Sequence, residues 1–426
     1  MARFLAAIMA IAVAVPLFAD RVRVVVAVEV PEVSALAVES LRAEVIDTLS
    51  TATEVVPWGR GRAFAAEIER DELEMLRLDP RVLAVSIDEG GQGALLESLP
   101  LVGVDAVRAQ GFDGRGITVA VLDTGIDIAN PDFTGRILAQ QCFCNNNDGS
   151  GCCPNGESVQ SGYASATDDN GHGTHVAGII AGGGASAPAG VAPSANIVAV
   201  KVMDRDNSFR GFTQIYQALE WIALYRHDVR VINMSLGSHA LFSTRECRTA
   251  AVAWGMAEVI ATLRARGVLI TASSGNQSSI TGTTLPACMA EVLGVGATYD
   301  APGDYTVFCS AAAAHADQVS CFTNSTDAID LVAPGSPIVA SRRGGGSVSY
   351  SGTSMAAPHV AGALVLMQQV SGGKLPASAL EAILKSTGKP VVDLRNGLAF
   401  PRLNVAAAIA ATPRPVPAPR RRSVKK

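Results

Sequence analysis

Two hydrophobic periods divide this chain. The run RVRVVVAVEV after residue 20, with polar Arg21 and Arg23 near its start, reads as a strand. A helical pattern follows over residues 40–49, then extended stretches at 53–57 and 62–68. A short charged helix at 71–78 leads to a strand at 82–87. The order β-α-β-β-α-β is the plan of a small independent domain. The polar, glycine-rich DEGGQGALLES (88–98) predicts an exposed linker where proteolytic cutting would fall.

From about 101 to 411, continuous apolar strands alternate with amphipathic helices. Residues 117–122, 197–202 and 229–234 are nearly unbroken apolar runs, as expected for strands buried on both faces. Ile215, Ala218, Leu219 and Ile222 recur at helical spacing. Val252, Met256, Val259, Ile260 and Leu263 form a second stripe, stopped by Gly267 and followed by a strand at 268–272. The predicted fold class is α/β, a mostly parallel doubly wound sheet flanked by helices and preceded by the small β-α-β-β-α-β domain. Reactive groups in such sheets collect beyond the carboxyl ends of the strands.

With 48% hydrophobic and 17% charged residues, a packed globular protein of two or three units is expected. The net charge of −5 is mild and gives no ground for a nucleic-acid partner. Arg3, the apolar run 4–19 and Asp20 resemble a secretory signal cleaved after Ala19, which predicts a secreted, extracellular or periplasmic protein. Export lets the eight cysteines pair. Cys142, Cys144, Cys152 and Cys153 crowd one loop without the C-x2-C ligand spacing of zinc, so disulfides are expected there. The tail TPRPVPAPRRRSVKK (412–426) should be extended and disordered. The predicted divisions are a signal peptide at 1–19, the small domain at 20–95, the large domain at 96–411 and the tail.

Three polar residues sit where this architecture places chemistry. Asp123 closes the strand ITVAVLD, His172 lies in DDNGHGTHVAG, and Ser354 lies in SGTSMAAPHVAG at a loop-to-helix junction. An aspartate that fixes an imidazole tautomer, and a histidine that takes a serine proton, would let the serine attack an acyl carbon. Gly352 and Thr353 leave room for a substrate backbone, and helix N-terminal amides favour developing negative charge. Pro358 is expected in the first turn or so, where its missing N–H costs little. Singly, an aspartate at a strand end is ordinarily structural and a serine before a helix ordinarily a cap.

Together, VAVLDTGID, GHGTHVAG and SGTSMAAPHVAG resemble the three motifs of the subtilisin-like serine proteases (subtilases), of the secreted subtilisin and proteinase K type, over about 101–411. Their chain order, Asp…His…Ser, sets them apart from chymotrypsin-like and α/β-hydrolase enzymes. The resemblance implies that Asp123 orients, His172 acts as general base and acid, and Ser354 is the nucleophile. Asn276, in TASSGN, would donate its side-chain amide to the tetrahedral intermediate beside the Ser354 N–H. Ser235, Leu236 and Gly237, in NMSLGS, would pair with substrate backbone along the cleft. Thr284 would lie near the base of the specificity pocket, with Ser273 and Ser274 on a wall. No carboxylate is evident there, so medium apolar or aromatic side chains are expected. The first domain resembles the family's inhibitory propeptide, which assists folding of a slow parallel sheet and occupies the cleft until cut somewhere in 89–100.

The implied function is a secreted serine endopeptidase, made as a self-processed zymogen, acting on protein or peptide substrates as a monomer. Its own propeptide would be its intramolecular inhibitor, and catalysis would need no cofactor. Two rivals are an inactive subtilase-like peptide-binding protein and a serine esterase. His175 and His359 are expected to pack or hydrogen-bond within their motifs, and His227, His239 and His315 to lie on the surface. Asp132 matches an aspartate of the family's tight calcium site, but AGGGASAPAG (181–190) offers no side-chain oxygen besides Ser186. Calcium is therefore not expected at that site, while structural calcium elsewhere stays open, with the acidic NNNDGSG loop as the place for it; the metal-ligating residues are not assigned. The resemblance also implies an insertion at 141–166 and the pairs Cys247–Cys288 and Cys309–Cys321, with disulfides taking over the stabilisation that calcium gives relatives.

Overall fold

Val22, Val24, Val26 and Val28 recur at every second position along Arg21–Val28 and are buried, as the two-residue period of a strand requires. The computed structural model describes residues 21–29, 35–57, 63–87 and 95–415. The expected signal segment 1–19 and most of the tail, 416–426, lie outside the described residues. The chain divides into two compact units, Met1–Gly91 and Gln92–Lys426.

In the first unit an antiparallel sheet runs in the order Thr53–Pro57, Ala63–Glu69, Arg21–Val28, Val82–Ile87. Two helices, Ala35–Ile46 and Arg70–Leu78, complete the β-α-β-β-α-β order. The first helix begins earlier than the expected 40–49, because Val38 and Val45, two turns apart, supply its buried face.

The second unit is built on a ten-stranded sheet. Its order is Lys389–Val392, Ala399–Arg402, Leu331–Ser336, Leu293–Tyr299, Leu269–Ser273, Val229–Met234, Thr118–Asp123, Asn196–Lys201, Ile137–Phe143, Val159–Ser161. The two outermost strands run antiparallel and the others are parallel. Both faces are covered, which explains the unbroken apolar runs: Val119 and Val121 enter one core while Ala120 and Leu122 enter the other. His172–Ala181 and Thr353–Ser371 lie in the first core; Phe212–Tyr225 and Ala251–Ala265 close the second.

Thr118–Asp123 pairs on one side with Asn196–Lys201 and on the other with Val229–Met234. The chain therefore leaves this strand in one direction and returns past it in the other, which makes its carboxyl end the switch point where a crevice opens. Asp123 stands at that end.

The stretch 88–98 departs from the exposed linker expected of it. Residues 88–94 lie outside the described residues, but Leu95–Val102 is a helix. Leu99 and Val102, three apart, are buried, and the buried Ser98 hydroxyl bonds the His359 ring at 3.0 Å. All eight cysteines pair: Cys142–Cys153, Cys144–Cys152, Cys247–Cys288 and Cys309–Cys321. Among the described residues no helix is long and apolar enough to cross a membrane.

Candidate active site

Three backbone devices bring the motifs together. The first is the approach of the helix His172–Ala181 to the strand ending at Asp123. A Cβ on Gly173 would collide with the Gly125 carbonyl and press on Asp123, so only glycine lets the helix start this close. The second is Asp168, whose carboxylate accepts from the Thr124 hydroxyl (2.8 Å) and from the amides of Asn170, Gly171 and Thr174. It knits the strand exit to the helix start. His172 is then held with Nδ1 2.7 Å from Asp123 Oδ1, while Asp123 Oδ1 also accepts the Thr124 amide at 2.8 Å. With Nδ1–H donated to a carboxylate, Nε2 is the nitrogen left for a reacting group.

Burial pulls the His172 imidazole down, but the Asp123 carboxylate, aided by Asp168, outweighs it and holds the ring above its ordinary value. Asp123 is fully buried and its Oδ2 has no hydrogen-bond partner, so the imidazole is the group that answers its charge.

The third device sets Ser354. Gly352 caps the helix Thr353–Ser371 at φ 153°, and a Cβ there would sit 3.1 Å from Asn276 Nδ2. Ser354 is the second helical residue, where amides have no intrahelical acceptor and remain free to donate outward. Pro358 falls in the second turn rather than the first. It therefore removes the N–H that would bond the Ser354 carbonyl four residues back. The Ser235 hydroxyl replaces it, donating to Ser354 O at 2.8 Å, and is itself held by Asn233 Nδ2 at 2.9 Å. The Ser354 hydroxyl donates to the Ser235 carbonyl at 3.2 Å rather than to the imidazole.

Asn276 Oδ1 accepts from the Thr353 amide (2.9 Å) and hydroxyl (2.8 Å), which leaves the Nδ2 hydrogens available beside Ser354. Two cavities meet here. One of about 350 Å³ is lined by Ser235, Leu236, Gly237, Ser273, Asn276, Thr284 and Ser354. The other, about 550 Å³, is lined by His172, Asn276 and Ser354. His172, Ser354 and Asn276 thus share one opening, and no Asp or Glu lines the first cavity. Thr284 is buried, with its hydroxyl on the Ser273 carbonyl at 2.9 Å. Ser274 is not on the wall the sequence suggested. Strand alternation turns Ser273 to the cavity and Ser274 behind it, fully buried with a hydroxyl that has no partner.

His175 and His359 are buried. His175 Nε2 lies 3.0 Å from Ile338 O and 3.1 Å from Val348 O, and His359 Nδ1 lies 2.8 Å from Met355 O. Burial pushes them down to about 3 and about 4, with His172 also opposing the charge on His175. His227, His239 and His315 are exposed, although His239 borders the first cavity. Sequence reasoning missed Asp168, Met203, Asn207, Phe209 and Phe308; the DD pair before GHGT was the signal for Asp168, and nothing local marks the others.

Asp132 does not fit a calcium ligand. Its Oδ1 accepts the Ala185 and Ser186 amides (2.7 and 2.8 Å), and its Oδ2 accepts the Ser186 and Ser341 hydroxyls (2.9 and 2.7 Å). Burial raises this carboxyl, but those donors outweigh it and keep it below the usual carboxylate range. The lone pairs a hard cation needs are already taken.

A buried Asp–His pair and a helix-borne serine at the switch point of a doubly wound sheet form the arrangement of a serine hydrolase. Residues 114–402 match the Subtilase family. The chain is 33% identical over 312 residues to an alkaline protease of Shouchella clausii, covering 72% of this chain and 69% of that protein. It is 33% identical over 351 residues to a thermostable alkaline protease of Halalkalibacterium halodurans, covering 80% of each. Among solved structures, a cold-adapted subtilisin-like serine proteinase superposes with a TM-score of 0.52 at 31% identity, covering 68% of this chain and 90% of that one. A protease of Pseudoalteromonas arctica PAMC 21717 shares the fold, with a TM-score of 0.58 at 24% identity over 72% of this chain and 93% of that one. The chain belongs to the subtilase family and is a serine endopeptidase.

Proposed function

We propose that the protein is a secreted endopeptidase that cleaves proteins through an acyl-enzyme on Ser354, with His172 and Asp123 as its partners. The 2.7 Å contact between the buried Asp123 carboxylate and His172 Nδ1 carries this reading, because it fixes Nε2 as an acceptor on the cavity that Ser354 also lines. For this the Ser354 hydroxyl must turn from Ser235 O and give its proton to Nε2. Its oxygen then attacks the scissile carbonyl, and the developing oxyanion takes hydrogens from Asn276 Nδ2 and the Ser354 amide. The imidazolium returns its proton to the leaving amine, and water repeats the sequence to free the acid. Every proton moved belongs to these residues, substrate or water, so no cofactor is required. Ser235, Leu236 and Gly237 would hold the acyl side of the substrate.

The first unit would act as propeptide and intramolecular inhibitor of a monomeric enzyme. A cut ahead of Ser98 is favoured, since Ser98 and Leu99 are already buried in the second unit. The turn at Asp132 would be held by its four donors without calcium.

Purified protein incubated with casein and with a fluorophosphonate should digest the first and be labelled by the second. The Ser354→Ala precursor should stay uncut, so its N-terminal sequence would locate the signal bond and that of the wild-type product the propeptide bond. Labelling without proteolysis would mean an esterase. Neither reaction would mean an inactive peptide-binding member of the family.

A further inference from the structure

A small hairpin borders the cleft. Gly303–Tyr305 pairs antiparallel with Ala311–Ala314, and its tip carries Val307 and Phe308, 46% and 60% exposed. Large apolar side chains at an exposed tip need a reason. Here they are not loose. Phe308 packs edge-on against the fully buried Phe322, with centroids 5.5 Å apart, and Tyr305 stacks on Tyr299 at 4.3 Å. The Tyr305 hydroxyl donates to Ala301 O at 2.7 Å, and the Cys309–Cys321 disulfide ties the residue after Phe308 to the one before Phe322. Phe308 is also held at φ +65°, a left-handed conformation bulky residues seldom adopt and one that clusters at functional sites.

The hairpin's place in the cleft gives it a task. Tyr305, Val307 and Phe308 line the second cavity together with His172, Ser354 and Met355. That cavity contains neither Ser235–Gly237 nor Thr284, which line the first. If the acyl side of the substrate lies in the first cavity, the leaving-group side must lie in the second. Phe308 alone of the hairpin borders both, so it stands beside the scissile bond.

We infer that this disulfide-fastened hairpin is a specificity element for the leaving-group side, selecting a bulky apolar residue immediately after the bond that is cut. The inference rests on the peptidase reading above. The buried Phe322 and Tyr299 rings supply a rigid base, and the exposed Val307 and Phe308 lose water only when a side chain of matching character covers them.

Acyl transfer tests the element separately from acylation. An ester substrate loads Ser354, and amino-acid amides then compete with water for the acyl group. The amine nitrogen bonds to the acyl carbon, Ser354 Oγ departs, and the proton lost by the amine passes through His172 to that oxygen. The yield ratio of leucinamide to glycinamide product reads the leaving-group side alone, because both form from one acyl-enzyme and any change in acylation cancels. The wild type should favour leucinamide by roughly tenfold or more. Phe308→Ala should bring the ratio to within about threefold. Val307→Asp, at a half-exposed site, should do the same and raise argininamide transfer. A wild-type ratio near one, or a ratio retained by both variants, overturns the inference. Failure of any ester to acylate Ser354 overturns the peptidase reading itself, and this inference with it.

Discussion

Replacing Ser235 by alanine should slow the enzyme without touching the three reactive side chains. Pro358 cannot donate to the Ser354 carbonyl, and the Ser235 hydroxyl at 2.8 Å supplies that hydrogen instead. Removing it leaves a carbonyl at a closed helix start with no donor, a cost of about 1–3 kcal/mol. The loss falls on the residue carrying the nucleophile. If the transition state feels all of it, kcat/KM drops roughly 5- to 150-fold. The main chain of residues 235–237 is unchanged, so KM should move less than kcat. Pro358→Ala restores an N–H four residues beyond Ser354. In that background the same Ser235→Ala change should cost less, by about 1 kcal/mol or more. The Asn233 amide loses its acceptor in both arms of the cycle and therefore cancels. Four proteins, normalised by active-site titration and assayed on a chromogenic peptide, give the coupling. Effects that add to within about 0.5 kcal/mol would refute the claim that one hydroxyl stands in for the missing amide.

Other outcomes follow from the same contacts. With Asp123 and Asp168 holding His172 above 6.5, and only the neutral ring able to accept a proton, kcat/KM should rise with pH through an apparent pKa above that value. Asp123→Asn should lower that pKa and reduce kcat by about 10⁴, the loss seen when another serine protease is treated so; an unmoved limb would contradict it. His175 and His359, neutral in the fold down to about 3 and about 4, protonate first in the unfolded chain. Stability is therefore full above pH 6.5 and falls as the pH drops toward 4, each ring contributing about 1.4 kcal/mol per pH unit. His359→Gln in a Ser354→Ala background should reduce that slope by about that amount in denaturation between pH 6 and 4.5, and an unaltered slope would count against it. Because Cys247–Cys288 spans 41 residues and Cys144–Cys152 only 8, their removal as Cys→Ser pairs should cost about 4 and about 2.5 kcal/mol. Thermal inactivation would rank them, and the reverse order would be decisive against the loop-closure account.

Much of this was legible in the residues, for identifiable reasons. Val119 through Leu122 read as a strand buried on both faces because no polar residue interrupts them, and the structure sends alternate members into two cores. His172 and Ser354 were findable because each sits in a glycine-flanked motif whose small residues have a steric purpose, as the contact at Gly173 demonstrates. What escaped was what depends on distant pairing. Ser98 looked like linker because the glycines before it dominate the composition, whereas its burial depends on His359, 261 residues away. Ser274 looked as exposed as Ser273 because one residue of strand alternation separates cavity from interior. Pro358 looked harmless at a helix start, and only the position of Thr353 as first helical residue revealed the carbonyl it deprives. The hairpin at 303–314 has weak strand propensity in AAAA, and only its seat beside Ser354 gives Phe308 meaning.

The helix that bears Ser354 is also the one that fills the first core between strands drawn from most of the second unit. It enters only at residue 353 of 426. A ribosome has therefore made every strand from Thr118–Asp123 to Leu331–Ser336 before the cleft can exist. On the mechanism proposed above, an interrupted translation product would hold an aspartate and a histidine but nothing to attack with, and unfinished copies would be harmless to the cell that makes them.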